Sequence, residues 1–372
     1  MTKSPQRRPR KRHAKTEERK RPGLSGPAFN MNLYDEFGWL DMPKILGRPY
    51  NFSIICHGRG TGKTYGGIKW ALDNRIPHIY LRRTGPQIDQ ITRRPEFNPY
   101  YKLDPLVCFG KGDGLRAIYH GEQEGDKVIP SGAPLGYVAA LSKVANMRGF
   151  SGEFIDFIFY DEFIRKKQEK RFPGEDDAFL DFYESVAHNR EIEGKGPLRC
   201  LLAANSDNMA NEIFLRLRLV TIAERMRKTG AEVYEDNKRS LALYIPHNSP
   251  ISEKKKDTAL YKLLGAGDSY AEMSTDNEFN KEDFDNVRSL SLQPYNLNCV
   301  CGEIAVYKHK SDNTYYISEH VKGSAPVYGV TDIELKRFTI ERYYLWLAYL
   351  RRRVIFESYI QKLLFEKYFM LS

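Results

Sequence analysis

Short apolar runs alternate with helix-like stretches over the first 205 residues of the chain. The apolar runs predict buried strands at 51–56, 78–82, 136–141, 155–160 and 198–203. Apolar positions at helical spacing between some of them predict helices over about 63–74, 86–94 and 178–190. This alternation favours an α/β fold with a mostly parallel central sheet and helices on both faces.

Two segments depart from this alternation. Between 106 and 135, short apolar pieces are broken by GKGDG and PSGAP, which predicts a β-hairpin inserted before the third core strand. After Asn205 the pattern becomes helical and polar, most clearly at 211–228. We therefore expect residues 208–290 to form a helical linker subdomain.

A second folded unit is expected over residues 291–372. Alternating segments at 299–307 and 314–319 predict strands on either side of a hairpin turn at 309–313. A long helix-like run at 332–370 carries an apolar stripe, which is typical of a helix packed against a core. The expected architecture is thus an α/β domain followed by a smaller α+β domain.

Charge is concentrated at the start of the chain. The formal net charge is +10, and residues 1–22 account for +8 of it. This segment has almost no apolar residues, so we expect residues 1–30 to form a disordered basic tail. The tail could bind phosphates of a nucleic acid or an acidic partner, or simply be solvated. No stretch approaches the ~20 apolar residues of a membrane span, and five scattered cysteines suit a reducing cytoplasm.

The segment HGRGTGKT at 57–64 links the first predicted strand to the first predicted helix. Its last three residues, Gly62-Lys63-Thr64, match the end of the phosphate-loop pattern G-x-x-x-x-G-K-[ST]. His57 stands where that pattern has its first glycine. The strand, loop and helix order favours a nucleotide site over an ordinary glycine-rich turn. The candidate nucleotide-binding residues are Gly58, Arg59, Gly60, Thr61, Gly62, Lys63 and Thr64.

Two carboxylates follow the apolar residues 157–160, at the strand end where α/β sheets place their ligands. Asp161 is positioned to hold Mg²⁺ together with the hydroxyl of Thr64. Glu162 is the candidate base that orients and deprotonates an attacking water. The pair therefore predicts Mg²⁺-dependent hydrolysis, although an Asp-Glu pair after apolar residues is by itself often structural.

Four further residues are candidates for the catalytic site. Asn205 follows a predicted strand and could bridge the water and the γ-phosphate, or be a plain turn residue. Arg59 could reach the γ-phosphate of its own or a neighbouring site, or be an exposed arginine. An arginine supplied by a neighbouring subunit can accelerate phosphoryl transfer. Arg148, before the carboxylate strand, and Arg190, at the end of the helix before the Asn205 strand, are placed where a neighbour could be reached. A surface salt bridge is the alternative for each.

Several of these motifs resemble the DNA-packaging ATPase of small podophages of the phi-29 type (Picovirinae). They are HGRGTGKT, YLRR at 80–83, FIFYDEFIRKK at 157–167, AHNRE at 187–191 and Arg148-Gly149 ahead of the Asp-Glu pair. The resemblance covers roughly residues 45–210 well and continues weakly to the C-terminus. His57 departs from the family's usual glycine, and the basic tail is an addition.

The resemblance implies a ring-forming ATPase of the additional-strand, conserved-glutamate (ASCE) class. Such a motor hydrolyses ATP with Mg²⁺ to move double-stranded DNA through a portal into a prohead, and a packaging RNA can be a partner. It implies a pentameric ring in the host cytoplasm, transiently attached to the prohead and without a membrane anchor. In the family the AHNRE region supplies the trans-acting arginine, which favours Arg190 over Arg148.

The resemblance also divides the chain. It implies a P-loop ATPase domain at 31–207 and an RNase H-like C-terminal domain at 291–372. That domain resembles a vestigial nuclease, which is expected to bind nucleic acid or the portal without cutting DNA. Its carboxylates are few, with Glu303 and Glu319 on the predicted strands and Asp332 and Glu334 at the start of the next helix.

Two other classes of function remain open on sequence grounds. The same core could drive another ring-forming DNA translocase or a helicase. It could also belong to a nucleotide-switched binding protein without turnover, in which Glu162 would be dispensable.

Overall fold

The computed structural model describes most of the chain. The described residues are 28–112, 115–147, 150, 152–166, 169, 174–205, 211–247, 249–265, 268 and 286–370. The basic segment at 1–22 and Arg148 lie outside them. Ala28–Phe29, assigned to the tail on sequence grounds, instead forms a short strand paired with Val233–Asp236.

Eleven strands of the described residues form one sheet. They are β1 (Ala28–Phe29), β2 (Phe52–Cys56), β3 (His78–Arg82), β4 (Val107–Phe109), β5 (Leu115–Glu124), β6 (Lys127–Pro130), β7 (Gly136–Ala140), β8 (Phe157–Asp161), β9 (Arg199–Ala204), β10 (Val233–Asp236) and β11 (Leu241–Tyr244). The order is β1-β10-β11-β2-β9-β8-β3-β7-β5-β4, and β6 pairs with β5. From β11 to β7 all neighbours are parallel, which confirms the predicted parallel core.

Helices cover both faces of this sheet. They are α1 (Met42–Leu46), α2 (Lys63–Asp73), α3 (Gly85–Arg93), α4 (Glu175–Ala187), α5 (Glu212–Arg216), α6 (Val220–Thr229), α7 (Pro250–Lys256) and α8 (Ala259–Leu264). Alternate residues of β8 enter opposite cores: Ile158 packs on the face covered by α4, and Phe159 on the face covered by α2. Burial on both faces explains why the core strands read as continuous apolar runs.

The two departures from strict alternation have different outcomes. The predicted insertion is confirmed as β4, β5 and β6, and β5 also pairs antiparallel with β7. The segment 208–290, expected to be a helical linker subdomain, contains helices but also two strands, β10 and β11, that join the large sheet. Leu241–Tyr244 is entirely buried and pairs in parallel with β2, next to the loop that follows β2.

A second sheet holds five strands of the described C-terminal region. These strands are β12 (Tyr295–Cys301), β13 (Ile304–His309), β14 (Tyr315–Ser318), β15 (Val327–Tyr328) and β16 (Val354–Phe356). Their order is β15-β12-β13-β14-β16, with the outer two pairs parallel and the inner two antiparallel. The helices of this region are α9 (Asp332–Glu341), α10 (Tyr343–Leu350) and α11 (Tyr359–Met370).

Two C-terminal predictions need correction. The apolar segment 299–307 is two strands, because Gly302 adopts φ +51° and turns the chain, so Glu303 lies in a turn rather than on a strand. The run 332–370 is three helices and a strand. Three exposed arginines at 351–353 end α10, and Val354 and Phe356 are then buried beside β14. Sequence periodicity could not separate this short apolar strand from the helices around it.

Helix α11 connects the two sheets. Tyr359 and Leu363 belong to the apolar core of the large sheet, whereas Leu364, Phe365 and Tyr368 belong to that of the second sheet. The predicted apolar stripe is therefore real in α11, but Tyr343 and Leu350 of α10 are 56% and 62% exposed. Among the described helices none is long and apolar enough to cross a bilayer.

Candidate nucleotide-binding site

The loop between β2 and α2 curls around a lysine ammonium group. Gly60 and Gly62 adopt φ +63° and +95°, and Gly62 precedes the first residue of α2. These left-handed conformations are accessible to glycine at little cost, which is why the loop can turn so tightly. Lys63 Nζ donates to the carbonyls of His57 at 2.8 Å and Gly58 at 2.6 Å. A cation and the N-terminus of a helix thus converge at one point, as in an anion site.

His57, the residue that replaces the usual glycine, is fully buried and has a structural contact. Its Nε2 lies 3.1 Å from Tyr34 Oη. Tyr34 donates its own hydroxyl proton to the carbonyl of His247 at 2.8 Å, so Nε2–H of His57 is the donor to Tyr34. The substitution therefore ties the loop to the segment that follows β11.

The structure brings Thr64 and Asp161 together, although they are far apart in sequence. Thr64 Oγ1 donates to Asp161 Oδ2 at 2.9 Å, and Tyr80 Oη donates to the same oxygen at 2.7 Å. Burial and the Asp161 charge raise the pKa of the Tyr80 phenol well above its ordinary value. Hydroxyl and carboxylate oxygens are the ligands that Mg²⁺ prefers, so the pair fits that metal.

Arg82, at the end of β3, was not predicted as a site residue. Its Nη1 donates to Asp161 Oδ2 at 3.1 Å and its Nη2 to Glu162 Oε2 at 2.6 Å. Burial disfavours the charged guanidinium, but the neighbouring Tyr80 and the two carboxylates raise its pKa above the ordinary value overall. In the sequence Arg82 is recognisable only as an arginine at the end of a predicted strand. Its carboxylate partners become apparent only because β3 pairs with β8.

Glu162 leaves the line of β8 through an unusual backbone conformation. Its φ of +52° lies in the left-handed region that non-glycine residues rarely adopt. The side chain is 30% exposed and lies 3.7 Å from Lys166 Nζ as well as against Arg82. The carboxylate is therefore partly exposed and held between two cations.

The other predicted residues divide into two groups. Asn205 follows β9, and Ala203 of that strand pairs with Asp161, so Asn205 lies at the edge of the sheet that carries the carboxylates. Arg59 is part of the loop and half-buried. Arg190 is elsewhere: it is 8% exposed, and its guanidinium bonds the Ile155 carbonyl and Asp156 before the start of β8. In this conformation it is not presented to a neighbour.

A second buried arginine lies directly after Arg82. Arg83 is fully buried and binds both oxygens of Glu175 at 2.6 and 2.8 Å. Tyr160 Oη donates to Glu175 at 2.7 Å. The two consecutive arginines thus bind the Asp-Glu pair after β8 on one side of the sheet and the first turn of α4 on the other.

The described C-terminal residues contain no group of three or more His, Cys, Asp or Glu side chains placed to hold a metal ion. Glu303 lies in the β12–β13 turn, where its amide faces the Tyr368 hydroxyl at 3.5 Å. Glu357 accepts from the Ser318 hydroxyl at 2.7 Å and the Glu319 amide at 3.0 Å.

Comparison with solved structures identifies similar folds in phage packaging motors. A structure titled the Phi-28 gp11 DNA packaging motor has 17% identity and a TM-score of 0.60, and covers 88% of this chain and 97% of that one. The bacteriophage Phi-29 viral genome packaging motor assembly has 18% identity and a TM-score of 0.57, and covers 89% and 99%. At these identities the likeness concerns the fold. A search of curated proteins finds no match.

A family model gives the more specific result. The model of the podovirus DNA encapsidation protein (Gp16) matches residues 125–330, which is more than half of the chain. The match begins after the phosphate loop and contains Asp161, Glu162 and Asn205. The chain therefore belongs to the podovirus DNA encapsidation protein (Gp16) family.

Proposed function

We propose that this protein is a Mg²⁺-dependent ATPase of the ASCE class that drives double-stranded DNA through a portal into a prohead. The observation that carries the proposal is the 2.9 Å bond between Thr64 and Asp161, with Glu162 directly after the aspartate. The strand order supports the class assignment, since β9 lies between the phosphate-loop strand β2 and the carboxylate strand β8.

Each site residue has a distinct role in this proposal. The loop amides and Lys63 would bind the β- and γ-phosphates, and Thr64 and Asp161 would hold Mg²⁺, which would neutralise phosphate charge. Glu162 accepts the proton of the attacking water once it is released from Arg82. Asn205 bridges that water and the γ-phosphate, and Arg59 adds positive charge in the loop.

A neighbouring subunit completes the site in this proposal. Arg190 is the proposed trans-acting residue, with Arg148 as the alternative, and its intrachain bonds to Ile155 and Asp156 have to open first. A residue acting in trans requires an interface at every site, which a closed ring provides. The ring is proposed to be a pentamer, attached transiently to the prohead in the host cytoplasm.

The remaining regions are assigned by the same proposal. The ATPase domain at 31–207 is followed by the linker at 208–290, although β10 and β11 of the linker complete the ATPase sheet. The domain at 291–372 is proposed to be a vestigial RNase H-like unit that binds DNA, a packaging RNA or the portal. A nicking assay on the full chain with Mn²⁺ tests this, because cleavage abolished by Glu303→Ala would contradict it.

The central experiment measures ATP hydrolysis with and without double-stranded DNA. Wild-type protein should hydrolyse ATP only with Mg²⁺, and Lys63→Ala should lose nucleotide binding. Glu162→Gln should keep binding but lose turnover by roughly 10²–10⁴-fold, because the base is removed. Near-normal hydrolysis by Glu162→Gln would refute its assignment, and binding without any turnover in wild type would favour a nucleotide-switched binding protein.

A further inference from the structure

Helix α7 places a second lysine on the phosphate loop. Lys255 donates from Nζ to the carbonyl of Arg59. A Cβ built on Gly60 would lie 2.8 Å from that Nζ, so the ammonium group occupies space that a side chain at 60 would fill. Since Lys63 bonds the carbonyls of His57 and Gly58, three successive loop carbonyls are bound by two ammonium groups.

The helix that carries Lys255 is held in place at its start. Ser249 and Ser252 are fully buried, and the Ser249 hydroxyl accepts from the Ser252 amide at 3.4 Å to cap α7. Pro250 packs so closely on Gly38 that a Cβ there would lie 2.7 Å from it. Two residues before Ser249, the His247 carbonyl is tied through Tyr34 to His57. The segment thus contacts the loop at two points.

Lys255 also differs from the adjacent lysine Lys256 in that no carboxylate of the described residues forms an ion pair with it. Lys256 pairs with Glu253 at 2.9 Å, and Lys254 is exposed. Burial lowers the pKa of Lys255 from the ordinary value. A partly buried ammonium group that bonds only a neutral carbonyl has capacity for an anion.

The position along the loop identifies which part of a nucleotide is within reach. In a phosphate loop the conserved lysine reaches the β- and γ-phosphates. Here Lys63 Nζ donates to the carbonyls of His57 and Gly58. Lys255 Nζ donates to the next carbonyl of the loop, that of Arg59. Both ammonium groups would therefore lie near the terminal phosphate of a nucleotide bound to this loop.

We propose that Lys255 binds oxygens of the terminal phosphate of a bound nucleoside triphosphate and returns to the Arg59 carbonyl when that phosphate is absent. This inference rests on the proposed nucleotide site. Helix α7 would then be the part of the site that distinguishes ATP from ADP. The presence of the terminal phosphate would also change a contact made by the segment that follows the ATPase sheet.

The test compares binding of two probes to the full chain with Mg²⁺: fluorescent ADP and a fluorescent non-hydrolysable ATP analogue. Lys255→Ala should weaken the ATP analogue by about 10-fold or more and ADP by less than about twofold, as expected for one charge-assisted bond. Lys255→Arg should recover part of the difference. Lys254→Ala, the matched control, should bind both probes as wild type does.

An equal loss for both probes would mean that Lys255 only positions the loop, and no loss would remove it from the site; either result overturns the proposal. A second measurement avoids substitutions altogether. Acylation of wild-type lysines, read by mass spectrometry, should show Lys255 protected by the ATP analogue more than by ADP, with Lys254 unaffected. Equal protection would contradict the inference, whereas wild-type protein that binds neither probe would refute the nucleotide site itself.

Discussion

Arg82 Nη2 lies 2.6 Å from Glu162 Oε2, so the proposed general base is bound by a cation of its own subunit. The same guanidinium donates to Asp161 at 3.1 Å and so bridges the two carboxylates. The Oε2 oxygen that would accept a proton from water is thus occupied by the guanidinium. Hydrolysis in the proposed mechanism therefore requires Arg82 to move away from Glu162.

Arg82→Ala should lower the free energy of unfolding by about 3 kcal/mol without nucleotide, because Asp161 is left as a buried charge without its guanidinium partner. Mg²⁺ with an ATP analogue should reduce this deficit, since the metal supplies positive charge at the same carboxylate. Denaturant titrations with and without the ligands measure both effects. Arg93→Ala, at a side chain that is 72% exposed, is the control. A deficit that the ligands leave unchanged would contradict the shared position of metal and guanidinium.

Thr64→Val should raise the Mg²⁺ concentration needed for half-maximal ATPase activity by about 10-fold, whereas Thr64→Ser should stay close to wild type. The valine has the shape of threonine but lacks the hydroxyl that lies 2.9 Å from Asp161. A magnesium titration of steady-state hydrolysis checks the expectation. An unchanged magnesium requirement in Thr64→Val would remove this hydroxyl from the metal site.

Arg190 and Asp156 allow a structural role to be separated from a trans-acting one. Arg190→Ala should lower kcat by about 10³-fold or more if its guanidinium serves a neighbouring site. Asp156→Asn breaks the same intrachain ion pair but keeps the arginine, so it should retain activity.

Mixing gives the decisive result for that arginine. Glu162→Gln subunits carry an intact Arg190 and should restore turnover to Arg190→Ala subunits. Inactive mixtures of assembled mutants, or equal losses in Arg190→Ala and Asp156→Asn, would show that the ion pair is only structural.

His78 should make folding sensitive to acid. It is fully buried, donates from Nδ1 to the Ile76 carbonyl at 3.0 Å and accepts at Nε2 from Tyr100 at 2.8 Å. Burial lowers its pKa to about 4. The unfolded chain, with a histidine pKa of about 6.5, therefore binds the proton first. The stability that His78 contributes is complete above about pH 6.5 and is lost as the pH falls towards 4.

Between pH 7 and pH 5 this should cost wild-type protein about 2 kcal/mol more than it costs the non-titrating variant His78→Gln. Denaturant titrations of both proteins at the two pH values measure the difference. Parallel losses in the two proteins would show that His78 is not the group responsible.

Elements whose signal is local could be predicted from the amino-acid sequence alone. The order of strand, loop and helix around Lys63 predicted the phosphate loop, and the apolar run before Asp161 predicted β8 and the position of the carboxylates. Local turn signals also predicted the hairpin between β4 and β6. In each case neighbouring residues carry the information, because periodicity and glycine spacing act over a few residues.

Contacts between residues far apart in the chain could be identified only in the folded structure. Arg82 became a site residue because β3 pairs with β8, and β11 became a core strand because it pairs with β2. Lys255 contacts the loop although it lies 196 residues away in sequence. Arg190 forms an ion pair with Asp156 of its own chain. Such contacts depend on the pairing and packing of elements far apart in the chain, which no local pattern encodes.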